Sequence, residues 1–167
     1  YSSWGLGAAE VGIVALITTT FLLFSAMTLV AGGLIMDKDV FETVFGLPPI
    51  ASYSLGVGLG GLALAGVIFF LGGPGTKSYR KFSMNLPGKK HVITQWIIGM
   101  VDWTTMAAVL YFLLPTGPEF TFVAFVPIFV AAHYAGAVSG LPGGIGVFEA
   151  IVLLLVPTGD ELTIAAG

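Results

Sequence analysis

Long runs of apolar residues, separated by short polar segments, organise the chain. The first run holds 26 uncharged residues, from Val11 to Met36. A helix needs about 20 such residues to cross the hydrocarbon core of a bilayer. Three further runs of spanning length cover about residues 50–71, 92–114 and 120–139. The pattern predicts an all-α fold, a polytopic membrane helix bundle with about four spanning helices.

The last apolar run is shorter, and a glycine-rich segment precedes it. It covers Ile145 to Val156, 12 residues, or roughly 18 Å of helix against a hydrocarbon core of about 30 Å. The segment before it, Gly140 to Gly146, contains four glycines and a proline. Irregular backbone at membrane depth survives only where it is buried in protein or lines a wet cavity. We therefore expect a broken or re-entrant helix at residues 140–156.

Small residues recur at helical spacing in the first two runs. The first run carries them at heptad spacing and the second at i, i+4 and i+7: Gly12, Thr19, Ala26, Gly33, and Gly56, Gly60, Ala63. Small side chains let the backbones of membrane helices approach closely. Both stripes therefore predict helix–helix contact.

Composition supports an integral membrane protein and excludes several other classes. Only 9% of the 167 residues are charged and 56% are hydrophobic, with a mean hydropathy of +0.99, whereas soluble domains carry about 25% charged residues. A net charge of −3 with six Lys and Arg leaves no basic face for nucleic acid. The chain has no Cys, which excludes disulfides, thiolate metal sites and iron–sulfur clusters. We expect no metal and no cofactor.

The charges that are present predict an orientation. Five of the six Lys and Arg residues lie between Lys77 and Lys90, and the positive-inside rule places such a segment in the cytoplasm. The acidic segment from Asp37 to Glu42 then lies outside. The chain opens on Tyr1 without an initiator Met, and we expect it to be a piece of a longer protein.

Three ionisable residues lie inside the apolar runs: Asp102, His133 and Glu149. An Asp at the centre of a spanning helix costs about 2.5–3.5 kcal/mol on insertion scales, so Asp102 requires a partner or a polar cavity. Gln95 lies on the same helical face, seven residues earlier. Two interpretations stay open for Asp102: a hydrogen bond to Ser or Thr of the first helix, or a place along a substrate path. His133 is either an interhelical hydrogen-bond donor or a functional group.

The strongest local signal is the segment from Ser139 to Glu149. A glycine-rich break before a helix leaves backbone N–H groups of Gly143, Gly144 and Gly146 for a phosphate, with the positive end of the helix dipole behind them. Discontinuous membrane helices hold substrate head groups in this way. Glu149, in the first turn, could bind a cationic head group or a proton. The alternative is a structural hairpin in which Glu149 caps the helix.

That segment, SGLPGGIGVFE, resembles the hallmark of the membrane domain of bacterial lysylphosphatidylglycerol synthases, also called multiple peptide resistance factor, and of their stand-alone relatives. The chain differs at Gly140, where the family more often has His, and at His133, where Gln is expected. Other stretches agree in order along essentially the whole chain: Tyr1 to Glu10, Gln95 to Trp103, Leu113 to Pro115, and Val156 with Pro157.

The resemblance implies a flippase of the bacterial cytoplasmic (inner) membrane. Such a domain moves lysylphosphatidylglycerol between leaflets and confers resistance to cationic antimicrobial peptides, whereas a separate soluble domain makes the lipid. We therefore expect residues 1–167 to be a partial transmembrane flippase domain without catalytic residues of its own. The implied partners are phosphatidylglycerol, its lysyl form, and either the rest of a larger chain or a second copy. The expected lipid-binding residues are Gln95, Asp102, His133, Ser139, Gly143, Gly144, Gly146 and Glu149.

Two other functions deserve comparison. A structural membrane subunit, packed into a larger complex, would use the small-residue stripes equally well. An intramembrane serine protease would need Ser139 and His133 together, but six residues at about 100° each place them about 240° apart on one helix. The spacing argues against the protease.

Overall fold

The structure is a computed structural model that describes residues 8–72, 76–79, 82–85, 88–116 and 120–156. It is an all-α membrane bundle, as predicted, with one small β-hairpin added. The elements in chain order are helices α1 (Ala8–Met36), α2 (Lys38–Phe45) and α3 (Pro49–Leu71), strands β1 (Thr76–Tyr79) and β2 (Phe82–Asn85), then helices α4 (Lys89–Leu113), α5 (Phe122–Val138) and α6 (Val147–Leu155).

Among the described residues, three helices are long and apolar enough to cross a membrane: Val11–Met36, Pro49–Leu71 and Lys89–Leu113. Helix α5 has 17 residues, or about 25 Å at 1.5 Å per residue. It is shorter than the predicted run because Thr121 caps its first turn: the Thr121 hydroxyl accepts a hydrogen bond from the Ala124 N–H at 3.1 Å. A fourth crossing by α5 stays a prediction.

Helix α2 and the pair of strands lie in segments that the sequence pattern predicts only as polar loops. Helix α2 occupies the acidic segment. The two strands pair antiparallel, with Thr76 opposite Asn85 and Tyr79 opposite Phe82. Strands of four residues are too short for their alternation to stand out from a loop. Arg80 and Lys81, which belong to the basic segment, lie outside the described residues.

Helix α1 is the centre of the bundle, since it packs against α3, α4 and α5, while α6 packs against α5. The larger buried cluster surrounds α5 and includes Trp103 and Phe125, and a smaller one joins Phe21, Val67 and Val92. Side chains on the outer faces are largely apolar, as expected for a surface in contact with lipid.

The stripe of small residues on α3 is confirmed as a packing face. A Cβ built on Gly56 would lie 2.7 Å from Ile35 Cγ1, one built on Gly60 would lie 3.3 Å from Ala31 Cβ, and Ala63 is fully buried. The missing side chains therefore set the distance between α3 and α1.

The stripe on α1 is confirmed only in the second half of the helix. Ala26 is buried, and Gly33 accommodates the ring of Pro127 on α5, which a Cβ built on Gly33 would overlap. Gly12 has no atom within 4 Å of a built Cβ, and Thr19 is exposed. The first half of the stripe meets no neighbour because the described helices pack mainly beside the second half.

Polar contacts join α1 to α4 inside the bundle. The fully buried Ser25 hydroxyl donates to the Trp96 carbonyl at 2.8 Å. The Trp96 indole N–H donates to Thr28 Oγ1 at 3.3 Å, and the Trp103 indole N–H donates to the Leu22 carbonyl at 3.1 Å. The two indole N–H groups would be unpaired in lipid, whereas the Ser25 hydroxyl also reaches the Phe21 carbonyl of its own helix at 2.9 Å.

Candidate functional site

The break between α5 and α6 is built from glycines in the left-handed region. Their φ angles are 72° at Gly140, 68° at Gly143, 66° at Gly144 and 87° at Gly146. Residues with a Cβ adopt this region at a cost of roughly 1–2 kcal/mol each, whereas glycine has no Cβ to clash. Four such positions within seven residues explain why the chain leaves the helix and turns here.

The turn brings α6 back along α5. A Cβ built on Gly144 would lie 2.9 Å from the Cα of Gly136, so the two backbones touch. Further along the pair, the rings of Phe129 and Phe148 meet edge to face with centroids 5.6 Å apart. Helices α5 and α6 therefore form an antiparallel hairpin, and the nine residues of α6 extend only about 14 Å.

Ser139 holds the start of the break. Its hydroxyl donates to the Gly136 carbonyl at 2.7 Å and accepts from the Leu141 N–H at 3.2 Å. The Gly144 N–H then donates to the Leu141 carbonyl at 2.9 Å. Both hydrogen bonds of the Ser139 hydroxyl are therefore to the backbone of its own turn. Neither is to His133, as a serine-protease nucleophile would require.

Glu149 lies at the N-terminus of α6 and is exposed. Its Oε2 accepts a hydrogen bond from the Gly146 N–H at 2.8 Å. The carboxylate therefore covers the positive end of the helix dipole, where a negative charge is stabilised. This is the capping arrangement that the sequence left open as an alternative.

The pairing corrects the expectation that the loop amides are free. Of the three glycines expected to donate to a phosphate, Gly144 and Gly146 already have intramolecular partners. The physical reason is that the short loop closes its own turn, and that Glu149 reaches back three residues. Any anion at this site has to compete with Glu149 for the Gly146 N–H.

Asp102 and Gln95 lie on one flank of α4. Asp102 is exposed and Gln95 is half-buried. Within the described part of the chain, Asp102 has no hydrogen-bond or ion-pair partner, and Ser25 of α1 bonds to the Trp96 carbonyl instead. The structure therefore does not support the interpretation of Asp102 as a hydrogen bond to α1.

His133 is also exposed, and its ring rests against Trp103. The two rings meet edge to face at 4.9 Å, while the Tyr134 ring lies 5.6 Å from the same indole. Trp103 is buried and directly follows Asp102. Trp103 packs α4 against α5 next to Asp102 and His133. It was not singled out from the sequence. The only available signal was its position next to Asp102.

The eight expected residues therefore fall into two groups. Ser139, the three glycines and Glu149 form the break, whereas Gln95, Asp102 and His133 lie on α4 and the adjoining face of α5. No hydrogen bond or ion pair joins the two groups among the described residues. The same part of the chain contains no cluster of three or more His, Asp or Glu residues able to hold a metal ion.

Comparison with known proteins gives two kinds of similarity. An uncharacterized protein of Synechocystis sp. is 30% identical over 160 residues, which are 93% of this chain and 48% of that protein. Phosphatidylglycerol lysyltransferases of Staphylococcus epidermidis and Staphylococcus aureus are 44% and 39% identical over 59 residues, which are 35% of this chain and 7% of each enzyme. No family model matches the chain. The chain spans about half the length of the Synechocystis relative and a small part of the lysyltransferases.

Proposed function

We propose that this chain is part of a membrane domain that binds lysylphosphatidylglycerol and moves it between the leaflets of a bacterial inner membrane. Exposure of that lipid on the outer surface would add positive charge and so repel cationic antimicrobial peptides. The partial similarity to phosphatidylglycerol lysyltransferases supports the choice of lipid. The three long apolar helices support a site inside a bilayer.

The observation that carries the proposal is the break at Ser139 to Gly146, with Glu149 at the start of a helix too short to span. An irregular segment next to apolar helices is stable in a membrane only against protein or a wet cavity. Helix ends of this kind are used by membrane transporters to hold charged parts of a substrate.

The lipid carries both negative and positive groups, and the site offers partners for each. Phosphatidylglycerol is anionic, and a lysyl group adds two ammonium groups to its one phosphate. The N-terminus of α6 offers backbone N–H donors for the phosphate. Glu149, with Asp102 as a second acid, offers carboxylates for the ammonium groups.

We propose that Glu149 changes its hydrogen-bond partner when the lipid binds. In the structure, the Glu149 carboxylate accepts a hydrogen bond from the Gly146 N–H. An incoming phosphate takes that N–H as its donor, and Glu149 turns to pair with an ammonium group of the same lipid. The phosphate and one ammonium group of the lipid are then paired, and Asp102 is the acid proposed for the second ammonium group.

The substitution Glu149→Gln tests the proposal. A glutamine amide oxygen still accepts the Gly146 hydrogen bond, so the cap remains while the negative charge is lost. We expect the initial rate at which lysylphosphatidylglycerol reaches the outer leaflet to fall about tenfold, since a hydrogen bond to a charged group contributes roughly 1.5–3 kcal/mol. The measurement is reaction of the exposed lipid amines with a membrane-impermeant reagent in proteoliposomes of the full-length protein.

Glu42→Gln is the matched control, because Glu42 is an exposed acid of α2 outside the break. It should leave the rate unchanged. If Glu149→Gln translocates the lipid as fast as the unmodified protein does, with equal protein incorporated, the site is not at the break. The structural-subunit function then becomes the better explanation.

A further inference from the structure

A groove lies between α1, α4 and α5, at the end of the bundle where α1 ends and α5 begins. It has a volume of about 210 Å³ and is lined almost entirely by carbon atoms. None of the eight residues expected to bind lipid is among its lining residues. Those that matter here are Thr28, Gly32 and Met36 of α1, Thr104 of α4, and Phe122 and Val126 of α5.

Two adjacent glycines shape the groove in opposite ways. Gly33 brings α1 onto Pro127 of α5 and closes the floor. Gly32 lines the groove and has no atom within 4 Å of a built Cβ. The space therefore exists because position 32 has no side chain, while the helices around it already touch.

The size of the groove restricts what it can hold. Roughly 150 Å³ accommodates a benzene molecule in a dry apolar cavity, so the groove is large enough for several carbon atoms. It is too narrow for another helix, because helix axes need about 8–10 Å between them and α1, α4 and α5 are already in contact. A single hydrocarbon chain fits.

The groove also has one polar end. Met36 is followed by Asp37, and Phe122 is preceded by Thr121, whose hydroxyl donates a hydrogen bond to the Asp37 carboxylate. An acid thus lies at the mouth of an apolar groove, beside a methionine that is 76% exposed. A molecule that matches both features has an apolar chain and a positively charged head.

We infer that this groove binds an acyl chain of a phospholipid whose head group carries an amine, with the amine near Asp37. The bilayer supplies such chains at this depth, because α1 and α4 are candidate membrane spans. The acidic charge of Asp37 favours a cationic head over an anionic one.

The position of the groove gives it a place in the proposed translocation, and this part of the inference rests on the proposed function. The groove lies at the start of α5 and the break at its end, 17 residues away, or about 25 Å along the axis. With α5 as the fourth span that the sequence predicts, the two sites lie near opposite faces of the membrane. With the basic segment in the cytoplasm, the break takes the lipid from the inner leaflet and the groove receives it in the outer leaflet.

Filling the groove tests the acyl-chain site. The full-length protein is reconstituted in vesicles of phosphatidylglycerol that contain either lysylphosphatidylglycerol or phosphatidylglycerol with a photoactivatable acyl chain, and labelled peptides are identified by mass spectrometry. We expect labelling of α1 and α5 around Gly32 and Val126. Gly32→Leu should reduce it about tenfold, since its side chain displaces at least two methylene groups.

Gly12→Leu is the control for that variant. Position 12 is on the same helix and also has no atom within 4 Å of a built Cβ, so it changes the same residue type without touching the groove. It should leave the labelling at α5 unchanged. Equal labelling in Gly32→Leu, or labelling spread evenly over exposed apolar faces, would overturn the acyl-chain site.

Asp37→Asn tests the head-group preference. Asparagine still accepts the Thr121 hydrogen bond but has no charge, so the groove keeps its shape. The preference for the lysyl lipid over phosphatidylglycerol should fall roughly fivefold, the effect of about one charge at a membrane surface. Glu42→Gln, further from the mouth, should retain most of the preference, and an unchanged preference in Asp37→Asn would contradict the amine near Asp37.

The outcomes separate this inference from the proposed function. If translocation persists in Gly32→Leu while the groove is unlabelled in the unmodified protein, the groove inference fails and the proposed function stands. If the groove is labelled but the unmodified protein moves no lipid, the proposed function fails. If Gly32→Leu instead dissociates a dimer, a side chain of a second copy fills the groove and the inference is wrong.

Discussion

Ser25 on α1 lies directly over Gly99 on α4, so that a Cβ built on Gly99 would overlap Ser25 Oγ. The same Ser25 hydroxyl bonds to the Trp96 carbonyl, one turn before Gly99. A short hydrogen bond and a missing side chain therefore occur at one point of contact. Close approach through glycine is what makes the polar contact between the two helices possible.

Enlarging Gly99 and shortening Ser25 should have non-additive effects on the free energy of unfolding. Gly99→Ala should lower the free energy of unfolding by about 1–3 kcal/mol, as overpacking does. Adding Ser25→Gly removes both crowding atoms, so the double variant should be more stable than Gly99→Ala alone although the hydrogen bond is lost. Thermal unfolding in nanodiscs measures this. Simple addition of the two losses would mean that the helices are further apart than described here.

The Gly136–Gly144 contact predicts a difference between two glycines with the same backbone conformation. Gly140 and Gly144 both have positive φ, but only Gly144 has atoms within 4 Å of a built Cβ. Gly140→Ala should cost roughly 1–2 kcal/mol from the left-handed conformation. Gly144→Ala should cost about 1–3 kcal/mol more, because it also separates α6 from α5.

The same pair of variants should differ in function. Gly144→Ala displaces α6 and with it Glu149, so the rate of lipid translocation should fall together with stability. Gly140→Ala leaves the hairpin contact in place and should retain most of the rate. Equal rates in the two variants, at equal protein content, would show that the hairpin does not position the site.

Asp102→Asn separates a functional acid from a structural one. Asp102 is exposed without a partner in the described part of the chain, and an Asp within a span costs about 2.5–3.5 kcal/mol. The variant should therefore unfold at the same temperature or a higher one, while translocation slows. The control is Thr105→Val, since Thr105 is exposed on α4 and its hydroxyl bonds to the Val101 carbonyl of the same helix. A loss of stability in Asp102→Asn would indicate a helix partner outside the described residues.

The predicted orientation is tested by labelling single cysteines, and residues 1–167 contribute none of their own. Glu42→Cys, in the acidic segment, should react with an impermeant maleimide added to intact cells. Lys90→Cys, in the basic segment, should react only after the membrane is made permeable. Both positions are exposed in the structure, so access differs only by side. Reaction of both from the same side would reverse or abolish the topology.

The sequence by itself determined the membrane class, the three long apolar helices, the packing stripe on α3 and the broken segment before Val147. These properties are local, because hydropathy adds along a run of residues and the glycines around Pro142 favour a break in the helix there. The stripe on α3 belongs here as well, since helical spacing alone places Gly56, Gly60 and Ala63 on one face.

Only the tertiary structure decided which polar groups are engaged. The partners of Ser25, Trp103 and Thr121 lie 71, 81 and 84 residues away in the sequence, and no local pattern encodes such pairs. The same holds for Glu149 over only three residues. Its charge and position predicted a site at the N-terminus of α6, but only the turn of the backbone decided that its carboxylate accepts from the Gly146 N–H. Asp102 illustrates the same point at long range, because an acid in an apolar helix demands a polar neighbour, and packing alone decides whether α1 supplies one.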